Sequence, residues 1–270
     1  MILERGKIMD NRFLSVKITE HKNKGKLGGF LSINVFPGEY CEKMKENKSS
    51  ICNQCYGYYM LNRYPQLKKA LRFNSEVLST RVLTSSECKA LEKKINGKKN
   101  LVGLRFNSIG ELINDYHVIN LNNIAYEIDP VIPITLWTKR PDLLFEVLDK
   151  PLFKVVESNK ILNTYMHPVH RSDRIQHTFN VYDNVDLMNK DIRNCGRYNT
   201  KICHGKCNEC MICYSHIDST EPRYTIFELT KRAQRKKAKT NICPECQSDK
   251  VEPSWGTAGY MQCNNCGKEY

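Results

Sequence analysis

Thirteen cysteines stand in this chain of 270 residues, and eleven of them fall into three tight groups. The groups are Cys41, Cys52 and Cys55; Cys203, Cys207, Cys210 and Cys213; and Cys243, Cys246, Cys263 and Cys266. Each contains the CxxC spacing, whose short turn lets two sulfurs address one ion. Residues 1–11 lack the apolar core of a secretory signal, so a reducing cytoplasm is the expected compartment, and disulfides do not persist there. Metal ligation is the expected use of these thiols.

The last group is the most specific. CPEC, sixteen residues and then CNNC set two knuckles at the separation of a four-cysteine zinc ribbon, so Cys243, Cys246, Cys263 and Cys266 are expected to hold zinc. A unit spanning residues 241–270 is too short to fold on its core alone, and the metal is expected to contribute its folding energy. Trp255 and Tyr260 within it are either stacking surfaces for nucleic acid or aromatics packed on the ribbon.

The first group is one thiolate short of a closed structural zinc site. Three ligands leave a coordination position open to a substrate or cofactor, whereas closure needs a distant donor such as His21, His117 or His167. The middle group runs Cx3Cx2Cx2C within eleven residues. That is denser than separated ribbon knuckles and closer to the loops that hold iron–sulfur clusters, so zinc and a cluster are both open, as is a ligand role for Cys195 or His204. Cys88 stands alone on a helical stretch and reads as a buried small hydrophobe.

Strand and helix signals alternate along the rest. Apolar runs at residues 26–37, 101–106 and 131–137 read as strands, as do runs near Val155, Leu162 and Val181. Residues 56–79 read as helical with a break at Pro65, followed by helical stretches at 85–95, from 112 onward and from 143 onward. The alternation predicts an α/β fold with a parallel sheet, open or curled into a partial or full β/α barrel. The expected divisions are a barrel-like domain at 1–190, a cysteine-rich metal-binding segment at 191–227, a basic linker at 228–240 and the ribbon at 241–270.

In such sheets ligands sit beyond the carboxyl ends of the strands. The first cysteine group falls there, with Arg105 and Asn107, then Trp137, Thr138, Lys139 and Arg140, then Glu157 and Asn159. A Lys–Arg pair at that position suits a phosphate or carboxylate. His167 and His170 flank Pro168 and are candidates for metal binding or proton transfer.

Charge narrows the partners. Lys and Arg number 42 against 29 Asp and Glu, giving a net charge of +13, and TKRAQRKKAKT at residues 230–240 holds six bases and no acid. Such a run either follows a phosphate backbone or forms a solvated linker, and nucleic acid is the expected partner. No stretch approaches the roughly 18–20 apolar residues of a membrane span, so no membrane partner is expected.

The stretch CEKMKENKSSICNQCYGYY, followed by LRFNSIGE, ITLWTKRPD and CHGKCNECMICY, resembles the bacteriophage gene-product-88 family, which would place the chain in a host cytoplasm. Its layout is also similar to that of the radical S-adenosylmethionine superfamily. There, three cysteines after the first strand bind a 4Fe-4S cluster, and a Gly-Gly-Glu turn after the second strand holds the methionyl amine. The resemblance implies Cys41, Cys52 and Cys55 as cluster ligands, Tyr56 as the neighbouring aromatic, and Gly110 with Glu111 as the amine-holding turn. Arg105 and Asn107 would then complete the cofactor pocket.

The function expected on this basis is an iron–sulfur enzyme of radical S-adenosylmethionine type acting on nucleic acid or a nucleotide. A barrel-type base-exchange transglycosylase modifying DNA or tRNA, with an Asp such as Asp115 or Asp183 as nucleophile, is the second possibility. A non-enzymatic zinc protein that binds nucleic acid is the third. The sequence marks no catalytic residue.

Overall fold

The computed structural model of the chain describes residues 16–21, 26–148, 151–167, 172, 174–195, 199–214 and 222–234, and the backbone of 251–253 and 261–263. Its centre is an eight-stranded sheet. In chain order the strands are β1 (Ile18–Glu20), β2 (Phe30–Ile33), β3 (Gly103–Phe106), β4 (Ile134–Thr138), β5 (Lys154–Ser158), β6 (His177–Tyr182), β7 (Thr200–Ile202) and β8 (Tyr224–Leu229). They lie in the order β1-β2-β3-β4-β5-β6-β8-β7. Only β1 runs antiparallel to its neighbour; every other pairing is parallel.

Parallel strands need crossovers, and helices provide most of them. Between β2 and β3 come α1 (Glu39–Glu46), a 3-10 turn (Ile51–Gln54), α2 (Tyr56–Arg63), α3 (Pro65–Thr80) and α4 (Ser85–Asn96). Pro65 opens α3 at the position where a missing N–H costs nothing, which is why the helical pattern restarts there. The chain then passes through α5 (Asp115–Glu127) to β4, through α6 (Pro141–Val147) to β5, and from β6 through α7 (Val185–Cys195) to β7. The short α8 (Cys207–Cys210) lies between β7 and β8.

The strands alternate their side chains between two different surroundings. Leu31, Ile33, Leu104, Phe106, Leu136 and Val155 join Val77, Leu78, Leu91, Val118, Leu121, Ile124 and Leu144 in the main core, so this face is covered by α3 to α6. Trp137, Val156, Phe179, Val181 and Ile226 form a separate cluster with Ile51, Leu162, Cys203, Ile212 and Cys213. This second face is covered by the two cysteine loops. Cys88 lies in the helical core at 2% exposure, a small hydrophobe in use.

Two sequence expectations change. The run near Leu162 forms no strand: Ile161 makes one antiparallel bridge to Ser50, and Asn163, at φ +59°, then turns the chain. The sheet also continues past residue 190, because β8 pairs with β6 along its whole length and the cysteine-rich segment lies between β7 and β8. The short β7 and the mixed polar and apolar run of β8 gave little periodic signal. Of the expected ribbon, the structure describes β9 (Val251–Pro253) and β10 (Met261–Cys263), an antiparallel pair. Cys243, Cys246, Cys266, Trp255 and Tyr260 lie outside the described residues, as do His170 and residues 235–240 of the basic run. No described helix is long and apolar enough to cross a membrane.

Candidate functional site

The loops beyond the carboxyl ends of β2 to β5 are joined by hydrogen bonds. Cys41 lies on α1, Cys52 in the 3-10 turn, and Cys55 caps the start of α2. The ten residues between the first two cysteines are thus spent largely on a helix. Ser50 accepts from the Cys52 N–H at 3.1 Å and pairs with Ile161, which fixes the turn against the loop after β5. All three thiols are free and half-buried. Burial pushes the Cys41 thiol up to about 12, with Glu111 as the next cause, and burial also raises Cys52 against the opposing pull of Lys139. Glu111 and Lys139 therefore both lie within electrostatic reach of the cysteine loop.

Glu111 is itself held from three sides. Its Oε1 accepts from Thr138 Oγ1 at 2.5 Å and from the Leu112 N–H at 2.8 Å, and its Oε2 accepts from the Lys139 N–H at 2.7 Å. Three bonds fill most of the roughly four acceptor positions of a carboxylate and leave one on Oε2. Gly110 before it has φ +86°, and a Cβ there would stand 2.3 Å from the Val35 carbonyl oxygen, so only glycine fits. The Tyr56 hydroxyl donates to the Ser108 carbonyl at 2.5 Å, linking the last cysteine to the same turn. Arg140 donates from Nη1 to the Leu112 and Ile113 carbonyls, both at 3.1 Å.

The turn after β3 is fixed from below. Asn34 Oδ1 accepts from the Ser108 and Ile109 N–H groups at 2.8 and 3.0 Å, and Asn74 donates to the Asn34 carbonyl at 2.8 Å. Ser32 Oγ bonds His21 Nε2 at 2.7 Å and Ser108 Oγ at 2.9 Å. Asn107, in the middle of this network, sits at φ +59° and is 5% exposed. Among the described residues neither its Oδ1 nor its Nδ2 has a hydrogen-bond partner, and the same holds for Arg105 Nε and Trp137 Nε1. The Arg105 guanidinium stacks 4.1 Å over the Trp137 ring. A buried unpaired amide costs roughly 1–3 kcal/mol, so two such amide atoms beside two more unpaired donors mark a place prepared for a ligand.

Other candidates have structural work. Asn159 donates to the Thr164 carbonyl and to Asn180 Oδ1, tying β5 to β6. Glu157 is 4% exposed at the end of β5. His117 is fully buried in α5, where Nδ1 accepts from the Ile113 N–H at 3.3 Å, and His167 is half-buried beyond β5. Asp115 and Asp183, the nucleophile candidates, are both exposed, and Asp183 accepts from Asn163 at 2.7 Å.

The middle group lies on the second face of the sheet, running from Cys203 at the carboxyl end of β7 to Tyr214 beside the start of β2. The Cys207 N–H donates to the Lys26 carbonyl at 3.2 Å, Tyr214 stacks on Phe30 at 4.4 Å, and His177 Nε2 bonds the Ile212 carbonyl at 3.0 Å. Cys203, Cys207, Cys210 and Cys213 line a cavity of about 240 Å³, together with His204, Met211 and Ile226. Cys195 is instead packed with Tyr182, Met188 and Phe227, away from this lining. Sequence reasoning left both as possible ligands, and the geometry separates them. It also missed Lys26 and Asn34, which carry no motif. Among the described residues, no three Cys, His, Asp or Glu side chains converge on one point as metal ligands do. The donor set is still of the right kind, with free thiols grouped in loops and no disulfide among them.

No family model matches the sequence, and neither the curated proteins nor the solved structures searched contain a match to the chain.

Proposed function

We propose that this protein is an iron–sulfur enzyme of radical S-adenosylmethionine type that acts on nucleic acid or a nucleotide, with its sheet curled as a partial barrel. One observation carries the reading. The three-cysteine loop leaves the first of the successive parallel strands, the Gly110–Glu111 turn leaves the second, and the Tyr56–Ser108 hydrogen bond draws the two together over the carboxyl ends.

Cys41, Cys52 and Cys55 would hold a 4Fe-4S cluster; when bound, it supplies an open iron site for the cofactor's amine and carboxylate and an electron for the cofactor's cleavage. The rest falls to side chains of this chain. Glu111 keeps one acceptor position on Oε2 for an N–H of the cofactor amine, while its bonds to Thr138 and Lys139 fix its direction. Tyr56 holds the cysteine loop against the turn. The Arg105 and Lys139 cations suit the anionic groups of a nucleotide.

The unpaired atoms define the substrate edge. Arg105 Nε, Trp137 Nε1 and Asn107 Nδ2 are donors, Asn107 Oδ1 is an acceptor, and the Tyr214 hydroxyl near Arg105 can be either. An edge richer in donors than in acceptors suits a planar, oxo-substituted base such as a pyrimidine-dione or guanine. Phosphates of a polymer would meet the basic run at residues 230–240.

The test is paramagnetic resonance of the anaerobically purified, reduced protein with and without S-adenosylmethionine. The wild-type signal is expected to change shape on addition of the cofactor, and a Cys41→Ala, Cys52→Ala, Cys55→Ala variant is expected to show no such change. A wild-type protein without iron, or with a signal indifferent to the cofactor, would overturn the reading.

A further inference from the structure

The geometry points to a second, separate metal centre: an iron–sulfur cluster held by Cys203, Cys207, Cys210 and Cys213 in the cavity that they line. The inference stands on its own observations and does not depend on the first cysteine group.

Space comes first. A tetrahedral zinc with sulfur bonds of about 2.3 Å leaves almost no room between its ligands. The four thiols here instead line a half-open pocket of about 240 Å³, while a single water needs only roughly 10–15 Å³. The other walls are largely apolar, with Ile202, Met211, Ile212 and Ile226, and offer water few partners. A body of iron and sulfide several atoms across fills such a space and suits such walls.

Charge comes second. Arg105 is half-buried on β3 with its Nε covered, and Tyr214, Tyr56 and Cys207, none of them a carboxylate, lie within its electrostatic reach. A guanidinium partly withdrawn from water is stabilised by a negative group beside it. Lys26 faces the same sulfurs from the other side, paired with Glu228 at 2.5 Å, and Cys203 Sγ lies 3.8 Å from that carboxylate. Two cations against one carboxylate leave a positive surplus, which a thiolate-bound cluster, net negative, neutralises. Protonated thiols do not.

The loop itself is third. Met211, between the last two cysteines, ends α8 at φ +54° with its N–H on the Cys207 carbonyl, and this turn brings Cys207, Cys210 and Cys213 to the lining of one pocket.

The experiment uses the full chain carrying Cys41→Ser, Cys52→Ser and Cys55→Ser, purified without oxygen and analysed for iron, acid-labile sulfide and zinc. Roughly four iron and four sulfide per chain are expected to remain, and adding Cys207→Ala and Cys210→Ala is expected to remove them. Zinc alone, or no metal beyond that of the ribbon, would overturn the assignment. A Cys207→Ala, Cys210→Ala variant of the otherwise unaltered chain gives an independent reading. Its iron is expected to fall below the wild-type value, and unchanged iron would equally overturn the assignment. A wild-type chain that keeps this iron but whose signal is indifferent to S-adenosylmethionine would strike the proposed function and leave this centre intact.

Discussion

At the residue scale the site is defined by atoms left unsatisfied where the structure could have paired them. Asn107 adopts a left-handed backbone and leaves both amide atoms unpaired, while its neighbours Ser108 and Ile109 are clamped by Asn34. Asn107→Gly relieves the backbone and removes the amide, so the melting temperature is expected to hold or rise. Binding of a uridine or guanosine nucleotide, followed by calorimetry, is expected to weaken at least tenfold, about 1.4 kcal/mol. Equal binding by variant and wild type would remove Asn107 from the site. His117 gives the opposite kind of prediction, one of stability. Burial holds its imidazole down to about 3, against 6.5 for an ordinary histidine. The unfolded chain takes up a proton between these values and the folded chain does not, so this contribution is complete above pH 6.5 and lost as the pH falls towards 3. Thermal unfolding against pH is expected to show a slope in that window that His117→Gln flattens. At this scale the cysteines were legible through their spacing, and Gly110 and Glu111 only through the resemblance of their turn to an amine-holding one. Asn34 and Lys26 were invisible, because their roles arise from partners 74 and 202 residues away in the chain.

At the element scale, legibility followed local signal. Pro65 at the start of α3 and the capping box of α4, with Thr84 and Glu87 bonding each other's backbone, were written in residues adjacent in sequence. So was β4, a buried run with no charged residue, whereas β5 is buried throughout although it carries Lys154 and Glu157. The stretch after Ile161 misled because its apolar residues pack on the second face as a turn, and periodicity alone does not separate a packed turn from a short strand. β7 and β8 were missed because they are divided by a loop whose dense cysteines suggest an independent segment. Thr84→Ala tests the clearest local device. Loss of the cap is expected to cost about 1 kcal/mol, seen as an earlier denaturation midpoint with an unchanged slope. A variant as stable as the wild type would show that α4 is held by core packing through Leu91 and Ile95 alone.

At the scale of the whole molecule, the second face of the sheet connects everything proposed. The first cysteine loop covers its carboxyl end, the middle loop crosses it from the carboxyl end of β7 to the start of β2, and Arg105 lies within electrostatic reach of Tyr56 of one and Tyr214 of the other. The excess of 42 bases over 29 acids makes the exterior suited to a polyanion. Nucleic-acid binding is therefore expected to weaken with salt. Replacing the bases of residues 231–239 with Gln is expected to flatten log K against log salt by roughly 0.7–0.9 for each phosphate that is no longer neutralised. An unaltered slope would take the basic run out of the interface. If Cys41, Cys52 and Cys55 leave a reactant position beside Glu111, the reduced, anaerobic protein should cleave S-adenosylmethionine, and free methionine measured after incubation reads that step alone. Methionine release is expected from the wild type and none from Cys52→Ala. Release that is absent from the wild type, or undiminished in the variant, would contradict the open coordination site.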